Sequence, residues 1–127
     1  PPEPWTLGIY RSGYVFAHSI VALIPPGEGS YSNLTEYISF NPANTWGPGN
    51  WSTGKATNIS EYPREIESIP VSALTADHLI NERWPDIADN KNNPEYTSST
   101  ALWFMNCIYY SDFEFEYGKT YDELINK

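Results

Sequence analysis

The sequence has few of the residues that usually carry catalysis or cross-linking: one cysteine, one methionine and two histidines among 127 residues. A single cysteine excludes an internal disulfide framework, so any sulfur chemistry is that of one free thiol. No run of His, Cys, Asp and Glu has metal-ligand spacing, so we expect neither a metal site nor any other cofactor. The candidate catalytic residues are therefore few.

Positive charge is also scarce. Seven Lys and Arg stand against sixteen Asp and Glu, a formal net charge of −9. Such a surface repels phosphate backbones and anionic lipids, so we expect no nucleic-acid partner and no membrane partner. The apolar runs FAHSIVALI and ALWFM are also far shorter than the roughly 20 residues that span a bilayer.

What the chain does have is typical of a packed domain. Hydrophobic residues make up 40% of it and charged residues 18%, a balance that favours a globular fold over disorder. The length predicts a single domain over residues 1–127. The abrupt start at PPEPW, without an initiator Met, suggests a mature product or a domain cut from a longer chain at a proline-rich linker. We therefore expect a secreted or delivered domain whose signal or carrier region lies outside this sequence.

The alternation of apolar and turn residues predicts several strands. They are expected over residues 5–11, 14–24, 34–42 and 64–72. Residues 43–60 are dense in Gly, Asn, Ser and Thr and are interpreted as a long surface loop. The triplets at Asn33, Asn50 and Asn58 match the glycosylation acceptor pattern, and we use them only as signals of loops.

Helical spacing follows the last predicted strand. Thr75 is the expected N-cap of a helix that Pro85 breaks or kinks, and a second helix over residues 99–113 is expected to end before Gly118. The final TYDELINK is expected to form a short helix or a frayed tail. His78 and the carboxylates of DFEFEY are expected on solvated faces. The elements together predict an α+β fold, with an antiparallel sheet of about four to six strands packed against two or three helices.

Cys107 and His18 are the candidate nucleophile and base. A thiol attacks as a thiolate, and a helix N-terminus or a nearby imidazole favours that form. His18 heads the apolar run YVFAHSIVALI, where a valine would suit a strand better, and Cys107 lies in MNCIYY on a predicted helix. The competing interpretation is an inert core cysteine, because Met105 and Ile108 lie close to it in sequence.

The order of these elements resembles the circularly permuted papain-like superfamily of thiol hydrolases, over roughly residues 5–115. AHSIVALI is similar to the family's His-led strand H-x-x-[IV]-x-[LV], YISFNP is similar to the GFxP stretch that follows, and NC occurs at 106–107. Two features depart from many relatives. IYY follows Cys107, whereas many relatives have a Phe three positions after the cysteine. Tyr96 lies farther upstream of Cys107 than the Tyr of the family's run Y-N-L-L-x-N-N-C lies from its cysteine.

Members of this superfamily include bacterial cell-wall amidases and peptidases, some delivered as antibacterial toxins. The resemblance implies a cysteine peptidase or amidase that cleaves an amide bond, first of all in peptidoglycan peptide stems. A cognate inhibitor protein is a further candidate partner. Cys107 would be the nucleophile, with its backbone N–H in an oxyanion hole, and His18 the base. The residue that orients the imidazole is expected on the paired strand: Asn41, with Ser39 and Asn44 as alternatives.

Three aromatic residues are expected to contact the substrate. Trp46 and Trp51 would line a groove, with pinning of the loop to the core as the alternative. Tyr14, upstream of His18, would add a hydroxyl to the oxyanion hole. The alternative is a tyrosine in the core or at the rim of the site. The main rival to an enzyme is a non-catalytic module that binds a glycan or a protein, or an acidic neutraliser of a basic toxin. An enzyme requires the His18 imidazole within hydrogen-bonding reach of the thiol.

Overall fold

The computed structural model describes residues 4–13, 18–27, 35–41, 50–55, 62–89 and 103–126, with the backbone alone for 40–41, 50–55 and 103–107. The strands are β1 (Trp5–Arg11), β2 (Ser19–Ile24), β3 (Glu36–Asn41), β4 (Asn50–Lys55) and β5 (Arg64–Val71). They form one antiparallel sheet in the order β4-β3-β2-β1-β5. The predicted α+β fold, an antiparallel sheet with helices, is confirmed.

The two faces of the sheet carry separate cores, because alternate residues of a strand point to opposite sides. The helix face holds strand and helix residues together, namely Leu7, Ile9, Val21, Leu23, Ile38, Val71, Ala76, Leu79, Trp84, Ile87, Tyr110 and Phe115. The tyrosine face holds Tyr10, Ile20, Ala22 and Ile24, with Tyr37 and Tyr62 packed against them. All the described helices contribute their buried residues to the helix face.

The segment 50–55 corrects the expected loop over 43–60. It forms β4 at the edge of the sheet, paired with β3 from Glu36↔Lys55 to Asn41↔Asn50. The stretch NWSTGK has no apolar alternation, so the hydrogen bonds offered by β3, and not its own side-chain pattern, make it a strand. Asn50 therefore begins a strand, whereas Asn33 and Asn58 lie outside the described residues.

A continuous helical segment follows β5. It consists of α1 (Ala73–His78), a π-helical turn (Leu79–Arg83) and α2 (Trp84–Asp89). The expected N-cap is wrong by three residues, because the Ser72 hydroxyl accepts from the Thr75 N–H at 3.3 Å and Thr75 lies inside α1. Pro85 does not end the helix. The π-helical turn before Pro85 already interrupts the α-helical hydrogen bonds at this point. The helix can therefore accommodate a proline, which has no N–H to donate.

The last helix, α3 (Trp103–Ile125), is longer than expected. It continues through Gly118 and includes most of TYDELINK. A Cβ at position 118 would lie 2.7 Å from Leu7 Cδ2 and 3.2 Å from Leu79 Cδ1. The glycine therefore allows close packing of α3 on the sheet and does not stop the helix. None of the described helices has the length and apolar character needed to cross a bilayer.

The C-terminal end of α3 is anchored where β1 begins. The Asp122 carboxylate accepts from the Ser72 backbone N–H at 2.9 Å and from the Thr75 hydroxyl at 2.7 Å. Ser72 follows β5, whose last residue, Val71, is paired with Trp5. This end of the helix therefore lies level with the first residue of β1.

From that anchor α3 runs antiparallel to β1. Gly118 packs on Leu7, farther along the strand, and the helix also packs on β2 and β3. Cys107 precedes Gly118 by 11 residues, or about 16 Å of helix, while Leu7 and Arg11 are about 13 Å apart along β1. The first turns of α3 therefore reach the end of the sheet where β1 finishes and β2 begins.

Candidate active site

His18 is fixed at that end of the sheet by three neighbours. Its backbone N–H donates to the Ser12 hydroxyl at 2.9 Å, and its carbonyl accepts from the Ser12 N–H at 3.0 Å. Its Nε2 lies 2.6 Å from the Ser39 Oγ, and the Tyr62 ring lies 6.0 Å away between centroids. The residue predicted to be a base therefore has a defined position and one short side-chain hydrogen bond.

Burial lowers the pKa of the His18 imidazole, because the charged form loses solvation. The imidazole is accordingly neutral near pH 7 and able to accept a proton. The folded-state pKa lies below the unfolded value of about 6.5, so the unfolded chain takes up this proton first. His18 therefore lowers stability progressively as the pH falls below about 6.5.

The contact between His18 and Ser39 fits two tautomers with different chemistry. If the Ser39 hydroxyl donates to Nε2, the pair has the arrangement of a serine nucleophile and its base. If Nε2–H donates to Ser39, the Nδ1 lone pair is the base, and the described part of the chain offers Nδ1 no hydrogen-bond partner. Ser39 is 4% exposed, which leaves little access for a substrate carbonyl. Its burial favours the second tautomer, with Ser39 as the residue that orients His18.

Of the three residues named as the orienting partner, Ser39 is the one seen against His18. Ser39 pairs with Ile20 across β2 and β3, and the same register continued by two residues sets Asn41 opposite His18. Asn41 thus lies at a suitable backbone position, but its side chain is outside the described residues, as is Asn44. The choice of Asn41 remains a prediction.

His18 and Cys107 lie at the same end of the sheet but on opposite faces. Ser39 shares the tyrosine face with its partner Ile20, and the His18 imidazole joins it there. Position 107 precedes the buried Ser111 by one turn of α3, on the side of the helix that packs on the sheet. The Cys107 side chain lies outside the described residues, and so does any contact that it makes with His18.

The Cys107 backbone lies one turn inside α3, since it is the fifth residue of the helix. A regular helix directs that N–H to the carbonyl of residue 103, and the free N–H groups precede it. The helix position therefore does not favour the expected oxyanion-hole role.

The expected substrate-contacting aromatics lie mostly outside the described residues. Trp46 and Tyr14 belong to the segments that are not described. The backbone of Trp51 lies in β4 opposite Phe40, at the edge of the sheet. A groove lined by these residues therefore remains a prediction.

A second polar cluster was not predicted from the sequence. His78 Nδ1 lies 2.7 Å from Glu82 Oε2, its Nε2 lies 2.8 Å from the Tyr117 hydroxyl, and its ring stacks on Tyr121 at 4.0 Å. With 18% of its side chain exposed, His78 is not the surface residue we expected. The i,i+4 spacings of His78 with Glu82 and of Tyr117 with Tyr121 are the sequence signals that could have revealed it.

Glu114 is buried, although the carboxylates of DFEFEY were expected on a solvated face. It is 1% exposed and receives two hydrogen bonds from Arg83, at 2.9 and 3.2 Å, while Asp112 and Glu116 are exposed. Burial raises the pKa of the Glu114 carboxyl, against the lowering effect of Arg83. The Arg83 guanidinium also lies 3.9 Å from the centre of the Tyr117 ring. This pair ties the π-helical turn to α3.

No set of three His, Cys, Asp or Glu among the described residues is arranged to hold a metal ion. Comparisons with protein-family models, curated proteins and solved structures found no match. Function is therefore inferred from the residues and their geometry.

Proposed function

We propose that the domain is a cysteine hydrolase that cleaves an amide bond, with the permuted papain-like arrangement in which the His strand precedes the Cys helix. The observation that carries the proposal is the 2.6 Å contact between His18 Nε2 and Ser39 Oγ. A donor at Nε2 fixes the tautomer, and burial keeps the ring neutral. The result is a base whose Nδ1 is available at the end of the sheet that α3 reaches.

In this reaction Cys107 gives its thiol proton to His18 Nδ1, and Sγ bonds to the amide carbon. The tetrahedral intermediate collapses as the C–N bond breaks, and the amine leaves with the proton from His18. Water then gives a proton to His18, attacks the thioester carbon and releases the acid with the free thiol. Ser39 holds the imidazole in place through both steps. No cofactor takes part.

The thiol and the imidazole meet around the end of the sheet in this proposal. His18 precedes the first residue of β2 and lies level with Asn41, the last residue of β3, so it stands at the end of the sheet. The first turns of α3 lie at that end, and position 107 is on the side of the helix toward the sheet. Reactivity of the thiol that depends on His18 is the direct consequence.

The substrate class and the setting rest on the family resemblance. We propose peptide stems of peptidoglycan as the substrate and delivery as an antibacterial effector as the setting, with a cognate inhibitor as a partner. The net charge of −9 suits a basic partner, since complementary charge speeds association.

Incubation of the protein with peptidoglycan fragments tests the proposed reaction. Mass spectrometry should detect two products, one with a new amine and one with a new carboxylate, whose masses together exceed that of the substrate by one water. Cys107→Ala should abolish this product, because no other thiol exists in the chain. Ser111→Ala, one turn away on the same side of α3, is the matched control and should retain cleavage.

A non-catalytic binding module is the second candidate. Tyr109 and Phe113, four residues apart on α3, are both exposed and form an aromatic stripe of the kind that binds partners. Fragments that bind wild type and Cys107→Ala equally, with no cleavage by either protein, would favour this candidate over the hydrolase.

A further inference from the structure

Arg11 and Ser19 are neighbours on the helix face. Arg11 ends β1, Ser19 begins β2, and the two are paired directly across the strands. Ser19 is two residues from Val21, which belongs to the helix-face core. Arg11 is likewise two residues from Ile9, so both side chains emerge on that face.

Neither residue uses these buried polar atoms within the described part of the chain. Ser19 is 0% exposed, and its Oγ has no hydrogen-bond partner. The Arg11 Nε is buried and is also without a partner. Buried polar atoms are nearly always satisfied, by protein, water or ligand. Two unsatisfied atoms on directly paired residues therefore indicate a missing polar partner. Because both atoms are closed to solvent, a ligand must displace neighbouring side chains to reach them.

The positive charge of Arg11 restricts the kind of polar group that would bind beside it. Its guanidinium makes no ion pair with any described carboxylate, although the chain has sixteen acidic residues. By contrast, Arg83 is paired with Glu114. A half-buried guanidinium that is not neutralised attracts an anion, and in a chain of net charge −9 it provides a local positive site.

The position of the pair links it to the proposed active site. Ser19 follows His18 in the chain, and Arg11 precedes Ser12, which holds the His18 backbone. The pair lies on the face that α3 covers, at the end that the turn with Cys107 reaches. A ligand here would be next to the proposed nucleophile.

We propose that Arg11 and Ser19 form a subsite for a free carboxylate of the substrate. A planar guanidinium matches a planar carboxylate with parallel N–H donors, and the Ser19 hydroxyl supplies a further donor. The assignment of this carboxylate to a substrate rests on the proposed hydrolase function. It restricts the substrate class to amides near a free carboxyl group, as at the end of a peptide.

Binding of N-acetylalanine to the full 127-residue chain tests the subsite. The binding isotherm is measured on Cys107→Ala, so that the result does not depend on turnover. N-acetylalaninamide, equal in size but without the charge, is the matched probe and should bind about 10-fold or more weakly. Arg11→Gln should weaken N-acetylalanine binding by a similar factor, and Arg11→Lys should recover only part of it.

Ser19→Ala separates a ligand site from a structural defect. It should weaken N-acetylalanine binding without lowering the midpoint of thermal unfolding, because the hydroxyl that it removes has no partner in the protein. Equal binding of the acid and the amide by Cys107→Ala, or no binding of either, would overturn the subsite without touching the hydrolase. Carboxylate binding together with an absence of cleavage would retain the subsite and reject the hydrolase.

Discussion

His18→Ala is expected to lower kcat/KM for amide cleavage by about 10²–10⁴-fold, the usual contribution of a positioned general base. The imidazole takes the proton that the thiol must lose, and its contact with Ser39 holds it in position. The loss is measured as initial rates of product formation on a peptidoglycan fragment. His78→Gln is the matched control, since it changes the other histidine, on the helices, and should leave the rate within a few-fold.

The pH dependence of kcat/KM distinguishes a His18 that acts as a base from a His18 with a structural role alone. Because burial lowers the pKa of His18, its neutral form persists below about pH 6.5. The acid limb of kcat/KM should therefore fall below that pH in the wild type, and in His18→Ala it should move up toward the ordinary thiol pKa of about 8.5. An unchanged acid limb in His18→Ala would assign it to another group and contradict the role of His18 as base.

Arg83→Ala is expected to lower the free energy of unfolding by about 3–5 kcal/mol, because it leaves the buried Glu114 carboxylate without its ionic partner. The measurement is urea unfolding of wild type and variant. Glu116→Ala, an exposed acidic neighbour, is the control and should stay within about 0.5 kcal/mol of wild type. The double variant Arg83→Met/Glu114→Leu should recover most of the loss, because it removes both charges. A double variant as unstable as Arg83→Ala would show that the packing of Arg83, and not the charge, is responsible.

The pH dependence of the same pair has a definite sign. Burial raises the pKa of Glu114 above its value in the unfolded chain, near 4.5. The stability linked to this proton is complete below that value and is lost as the pH rises through the folded-state pKa. Wild type should therefore lose stability relative to Glu114→Gln as the pH increases above about 4.5. The opposite trend would mean that pairing with Arg83 outweighs the cost of burial.

Much of the fold could be predicted because local patterns and tertiary structure agree. β1 and β5 occupy nearly the predicted ranges, and β2 and β3 lie inside theirs. β4 could not be predicted, since a polar edge strand takes its structure from its neighbour. The predicted end of the helix before Gly118 was wrong. The role of this glycine is close contact with Leu7, a residue more than a hundred positions away in the sequence. The same limit applies to packing between distant segments in general.

The candidate site, like the fold, could be predicted only in part from the sequence. The antiparallel register predicted that a residue of the third strand would meet His18, and Ser39, one of the three candidates, does so. Which face α3 covers could not be read from the sequence, although it decides how Cys107 approaches the imidazole. The burial of Glu114 was also hidden, because its partner Arg83 lies 31 residues away.

The measurement that tests the central claim most directly is the rate of Cys107 alkylation by iodoacetamide as a function of pH, in wild type and in His18→Ala. The chain has one thiol, so the rate reports Cys107 alone. The hydrolase proposal predicts an apparent thiol pKa well below the usual ~8.5 in wild type, and a rise toward that value when His18 is removed. A thiol that reacts only after unfolding, or a profile that is the same in both proteins, would contradict it.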